Sequence, residues 1–230
     1  MITVKGFAYK FEIFRTVRKK TVSISVKNKS VVISVPEFLS NSRVLDIIES
    51  KADWIKKKIE EDLKKPRFLK KKFKNGETFY FLGQPKKLLL VKSRKNYVKT
   101  LTKYLVVNYK NNQQNLKKII TDWYLNEAQK YLCRRTLNIS KKMGVKFTSI
   151  NIKTFKRRLG SCDKKANLCY NWKIIMAKKS IIDYVIIHEL SHIIHFNHSN
   201  SFWMYVEKFC PDYKKSKLWL NRNYEIFNFN

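Results

Sequence analysis

The sequence predicts an α+β protein, with a β-rich N-terminal half carrying one amphipathic helix and a C-terminal half in which a small mixed sheet packs on a histidine-bearing helix. Three observations predict it. Short segments alternating with a period of two dominate residues 8–109, apolar positions spaced by three, four or seven residues mark separate helices, and every histidine falls in one window, "IIHELSHIIHFNHSN", residues 186–200.

The first alternation is clearest in "TVSISV" and "SVVISV", separated by the polar "KNKS", and reads as a β-hairpin. After Pro36, Val44, Ile48, Ile55, Ile59 and Leu63 recur at helical steps, which predicts one amphipathic helix ending near Pro66. Strands return in "ETFYFLG", "KKLLLV", "YVKTL" and "YLVVNY", between Gly76, Gly83-Gln84-Pro85 and lysine-rich turns. A polar run, "KNNQQN", opens a second helix with Leu116, Ile120, Trp123, Glu127 and Tyr131 on one face, stopped by Gly144. The change of pattern places a soft boundary near residue 111, between regions 1–110 and 111–230. Strands "VKFTSINIKTF" and "LCYNWKIIMA" then bracket the loop "KRRLGSCDKKAN". Ser180 and Asp183 form an S-x-x-D signal before "YVII", which predicts a capping box and a helix starting at residue 181.

With 44% apolar and 14% aromatic residues the chain can build a core, so it is no disordered tail. No segment approaches the roughly 20 apolar residues of a membrane span, and the N-terminus has no signal-peptide pattern, so a soluble cytoplasmic protein with no membrane partner is expected. Four dispersed cysteines without a C-x-x-C pair suggest free thiols, not a disulfide framework. Fifty Lys plus Arg against seventeen Asp plus Glu give a net charge of +33. Such a field favours RNA, DNA or nucleotide phosphates, while the many asparagines and isoleucines also fit codon drift in an AT-rich genome. No pattern marks an oligomer interface.

His188 and His192 stand four apart, so on a helix both imidazoles project from one face and can converge on one cation. With Glu189 they spell H-E-L-S-H, the zinc metalloprotease motif: two ligands, and a carboxylate able to take a proton from the attacking water. A motif this short also arises by chance on a surface helix. A catalytic zinc needs a third protein ligand and an open fourth position, for which His195, His198 and Glu207 compete. On a straight helix His195 lies about 10 Å of rise beyond His188, too far to share an ion with both others. His198, six residues beyond His192, has the spacing of proteases in which the chain leaves the helix and turns back to the metal. Asn197 is the nearby residue most tolerant of left-handed backbone, so the helix is expected to end around 195–197, with His198 as third ligand. His195 is then a bystander, and Glu207 is read not as a ligand but as a carboxylate that is either solvated or supports a ligand from behind.

Around this window the chain resembles the YgjP-like metallopeptidase family, a zincin group related to WLM and SprT-type proteases. The matching residues are "RLGSC" (158–162), "YVIIHELSH" (184–192), "NHSNSFW" (197–203), "PDY" (211–213) and "WL" (219–220), together with the N-terminal hairpin, Pro36 and "KADWI" (51–55). The resemblance implies a zincin-like C-terminal half, zinc on His188, His192 and His198, and Glu189 as catalytic acid/base. Leu159 departs from the family, where tryptophan is usual in R-W-G-S-C. Arg158 matches the family arginine, either as an anion or oxyanion partner near the cleft or as a structural loop residue. Ser161 and Cys162 have no histidine outside the zinc window to activate them and are assigned to structure.

Three functions compete. The first is a zinc peptidase acting on peptide or protein substrates, with "LCYNWKIIMA" as an exposed edge that receives an extended peptide. The second, implied by the resemblance, is a nucleoside triphosphate pyrophosphatase on the same site, although the chain has no Walker-type loop. The third is a basic nucleic-acid-binding module with structural zinc.

Overall fold

A computed structural model describes residues 10–17, 20–27, 30–63, 71–110, 115–156 and 158–227. The chain forms two compact units, residues 1–66 and 67–230. The compositional boundary near residue 111 falls inside the second of these.

In the first unit, β1 (Lys10–Thr16), β2 (Ser23–Lys27) and β3 (Ser30–Pro36) form a sheet in the order β1-β3-β2. β2 and β3 are the predicted hairpin, antiparallel in register from Ser23↔Ser34 to Lys27↔Ser30, and β1 runs parallel to β3. Where one helix was expected there are two, α1 (Asn41–Ser50) and α2 (Ala52–Leu63). The break is at Lys51 (φ −110°, ψ 10°), whose carbonyl accepts from Ile55 N–H and so restarts the helix. Val44, Ile48, Ile55 and Ile59 are buried with Phe11, Val31, Ile33 and Val35, whereas Leu63, expected on the same face, is 54% exposed. The Arg15 guanidinium donates to the Glu37 and Leu39 carbonyls at 2.8 and 2.6 Å and to Asn41 Oδ1 at 2.7 Å, fixing the turn into α1.

The second unit holds one large core. Its four-stranded sheet, order β4-β5-β7-β6, comprises β4 (Thr78–Phe81), β5 (Gln84–Lys92), β6 (Tyr97–Thr100) and β7 (Tyr104–Tyr109). Phe79, Leu88, Leu105 and Val107 line its inner face and pack in the same core as α3 (Leu116–Met143). α3 ends, as expected, at Gly144, whose φ of 68° is the left-handed cap that favours glycine. Its buried stripe is Leu116, Ile120, Tyr124, Ala128 and Leu132, so beyond Ile120 the inward face lies one residue later than the predicted Trp123, Glu127 and Tyr131. Tyr124 decides the phase, since it is fully buried and its hydroxyl donates to the Tyr80 carbonyl at 2.7 Å.

A second sheet, order β8-β10-β9, consists of β8 (Ser149–Lys153), β9 (Gly160–Cys162) and β10 (Asn167–Asn171). The segment "WKIIM" does not continue β10 but winds into a 3₁₀ turn, Trp172–Met176, because the Asn171 side chain accepts from Lys173 N–H and caps it. Then come α4 (Lys179–Ser191), α5 (Asn200–Phe209), α6 (Tyr213–Asn223) and a 3₁₀ turn, Tyr224–Phe227. Among the described residues no helix is long and apolar enough to cross a membrane, and the four cysteines are free.

Candidate active site

α4 is the central helix of the second unit: Ile181, Ile182, Tyr184, Val185, Ile186, Ile187 and Leu190 are all buried, so it is packed on nearly every side. It starts two residues before the expected position and without the capping box. Lys178 is the N-cap and makes no side-chain cap bond, while Asp183 accepts a two-point bond from Arg135 of α3, Nε to Oδ1 at 2.6 Å and Nη2 to Oδ2 at 2.8 Å. This pairing registers α4 on α3, and a planar fork on a carboxylate fixes orientation as well as distance.

The regular helix ends at Ser191, earlier than expected. Its last turn tightens: His192, Ile193 and Ile194 N–H groups each bond three residues back, and His195 N–H reaches the Ser191 carbonyl. The reversal uses no left-handed residue, since Asn197 has ordinary negative φ. α5 follows at once, capped by Ser199, whose hydroxyl accepts from Phe202 N–H. His198 is therefore delivered from the residue just before that cap.

These two local structures bring His188, His192 and His198 together, with one ring nitrogen of each within 4.8 Å of the others. His188 Nε2 and His198 Nε2 face each other at 3.1 Å. Phe202, fully buried, forms the floor: its ring stacks on His192 at 4.6 Å and meets His188 and His198 edge-on at 5.0 and 4.8 Å. Trp203 stacks on His198 at 5.6 Å, and Lys217 sits 4.3 Å over that indole. His195 turns its ring away, edge-on to Tyr205. Its carbonyl nevertheless faces His192 Nδ1 at 3.1 Å, which fixes the His192 ring and leaves Nε2 for the cluster. Sequence reasoning could not find that role, because every residue carries a carbonyl. Glu207 is exposed and 3.8 Å from Lys214, a solvated carboxylate as expected.

Burial, reinforced by His192, His198 and Lys217, lowers the His188 pKa to about 3, so its imidazole is neutral and its lone pair available. Desolvation also lowers His192. Tetrahedral zinc with bonds of about 2.0–2.1 Å needs donor atoms roughly 3.3 Å apart. Three imidazole nitrogens at the observed spacing fit a cation of that kind. The His188 Nδ1 is buried without a hydrogen-bond partner, which leaves this ring held by packing against Phe202 and Tyr184.

Glu189 is 6% exposed, and its carboxyl is pushed up to about 8 by burial, partly offset by the Arg158 charge. It shares a recess of about 320 Å³ with His188, Arg158, Gly160, Lys217 and Tyr224. Gly160 of β9 lies against it so closely that a Cβ there would meet Oε1 at 2.6 Å and Cγ at 2.7 Å. The glycine of "RLGSC" is thus set by the approach of the glutamate. Asn171, 2% exposed, holds this loop: its amide donates to the Phe155 and Arg158 carbonyls at 3.1 Å each. Arg158 is exposed, stacks over Phe155 at 4.6 Å, and acts on Glu189 through its charge. Leu159 packs against the core. The Cys162 thiol is pushed up to about 11, chiefly by burial and then by Glu189, so it is not an activated nucleophile.

Three imidazoles, two from α4 and its C-cap and one from the turn before α5, converging beside the buried carboxylate of α4 make a donor set of the kind that metallohydrolases use. The chain belongs to the YgjP-like metallopeptidase family, whose metallopeptidase domain matches residues 20–223. Among solved structures it is similar to the metallopeptidase zymogen abylysin of Pyrococcus abyssi, at 22% identity and a TM-score of 0.36, over 40% of this chain and 97% of that one. It is similar also to the zymogen jannalysin of Methanocaldococcus jannaschii, at 21% identity and a TM-score of 0.33, over 38% of this chain and 93% of that one. No curated protein sequence matches the chain.

Proposed function

We propose that this metallopeptidase is zinc-dependent, with His188, His192 and His198 as the metal ligands and Glu189 as general acid/base in peptide-bond hydrolysis. The observation that carries the reading is the convergence of the three ring nitrogens next to a buried carboxylate. A zinc ion held there supplies Lewis acidity to the scissile carbonyl and to an attacking water.

Glu189, buried in the recess it shares with His188, is placed to take a proton from water and return it to the leaving amine nitrogen. Gly160 and the Asn171-held loop keep its carboxylate in one place. Arg158, at the rim of the same recess, opposes too high a pKa. The strand expected to receive substrate needs correction, because β10 is the central strand of its sheet and both its edges are paired. β9 is an outer strand beside Glu189, and this supports Gly160–Cys162 as the edge along which an extended peptide is laid.

The test is hydrolysis of a quenched fluorescent peptide library by wild type and Glu189→Gln, with zinc content measured on both. The variant is expected to keep its zinc and lose activity by about 10²- to 10⁴-fold. Undiminished turnover by Glu189→Gln would remove the role given to this carboxylate. A parallel panel of nucleoside triphosphates, assayed for pyrophosphate release, separates peptide from phosphate chemistry.

A further inference from the structure

The four-stranded sheet of the second unit has a face that the peptidase site does not use. Register places Lys87 and Tyr104, Leu89, Val106 and Lys99, and Val91, Asn108 and Tyr97 on the side opposite the core, with Asn108, 6% exposed, buried between its neighbours Val91 and Tyr97. Tyr97 and Tyr104 are 42% and 45% exposed, and Leu89 and Val91 are 41% and 38% exposed. An open sheet face that mixes aromatic rings, aliphatic side chains and lysines is not a solvated polar face.

We propose that this face is a docking surface for single-stranded nucleic acid. Charge complementarity supplies the first reason. Residues 78–121 contain no aspartate or glutamate, while Lys87 and Lys99 stand on this face and Arg94 and Lys95 lie in the turn between β5 and β6. Codon drift raises lysine everywhere, but it does not by itself empty one sheet of carboxylates. The nearest acid before it, Glu77, accepts from the Lys72 and Lys74 N–H groups and lies outside the strands.

The rings supply the second reason. Tyr104 and Tyr97 stand on neighbouring strands about four residues apart along β7, a separation on the order of 13 Å along the strand. Lys99 Nζ lies 5.3 Å over the Tyr97 ring, so a cation and a stacking surface are presented together. Unpaired bases stack on such rings while the lysines meet their phosphates. In a duplex the base faces are buried in the helix, which sets the preference for single strands.

Fluorescence anisotropy of the 230-residue chain with a labelled oligonucleotide of about 16 nucleotides, as single-stranded DNA, single-stranded RNA and duplex DNA, tests the proposal across a salt series. Single strands are expected to bind at least about tenfold more tightly than duplex. Tyr97→Ala with Tyr104→Ala is expected to weaken single-strand binding about tenfold or more at every salt concentration, and the corresponding phenylalanine pair to retain it. Lys87→Gln with Lys99→Gln is expected to flatten the dependence of log affinity on log salt by about 1.4. Glu189→Gln is expected to bind as wild type, which keeps this result separate from the fate of the peptidase reading. A preference between DNA and RNA identifies the natural strand. Equal binding of duplex, wild-type binding by a folded alanine pair, or equal binding of polyglutamate would each overturn the proposal. Should the alanine pair fail to fold, an unchanged salt slope in the glutamine pair overturns it.

Discussion

Gly160 and Glu189 approach so closely that the space a Cβ would occupy on Gly160 is 2.6 Å from the glutamate Oε1. The position of the carboxylate is therefore set from outside its own helix, by a strand that has no side chain where the two meet. Gly160→Ala is expected to displace Glu189 and lower kcat by about 100-fold with zinc content unchanged, since displacements on the order of 1 Å cost that much. Peptide turnover and metal analysis of the purified variant check it. Full activity would mean that the carboxylate tolerates the shift.

His198 and His195 make a matched pair for the metal. His198→Ala removes a ring nitrogen from the cluster and is expected to cut zinc affinity by more than about 100-fold, beyond what loss of a supporting residue costs. His195→Ala keeps the carbonyl that faces His192 Nδ1 and is expected to retain wild-type zinc stoichiometry. Elemental analysis after desalting distinguishes the two. The opposite ranking would exchange ligand and bystander.

Asn171 ties the loop before β9 to β10 through two donated bonds and caps the following 3₁₀ turn with its oxygen. Asn171→Ala removes both donated bonds and the cap from a buried side chain and is expected to destabilise the protein by about 2 kcal/mol, a fall of roughly 4–8 °C in Tm. Thermal melting followed by circular dichroism reads the change. An unaltered midpoint would show the loop to be held by other contacts.

The Cys162 thiol supplies a pH prediction. A pKa raised to about 11 depletes the thiolate, leaving about 0.03% at pH 7.4 and most of the rise in reactivity above pH 10. In chelated protein, iodoacetamide labelling of Cys162 mapped by mass spectrometry is expected to be far slower at neutral pH than that of a free cysteine peptide. Labelling as fast as the peptide would place the thiol in a less buried setting.

What the sequence by itself determined is what depends on near neighbours along the chain. The i, i+4 spacing of His188 and His192 on an apolar helix, the glutamate between them, the glycine stop after α3 and the β2–β3 hairpin all follow from backbone periodicity and turn chemistry. The bringing of His198 to the cluster was legible too, from a spacing that only a reversal satisfies, although the reversal is made by a tightened helical turn and not by Asn197 in left-handed conformation. The tertiary structure decided whatever needs a partner distant in sequence. Arg135, forty-eight residues away, takes the Asp183 carboxylate that would otherwise have capped α4. The bond from Tyr124 to Tyr80 turns the inward face of α3 away from its apparent stripe. β9, too short to stand out in a loop, becomes an edge strand because β10 pairs with it, and its glycine meets Glu189 only once that sheet is packed on α4. Local pattern fixes which atoms are available for chemistry, and packing across long sequence separations fixes where they point.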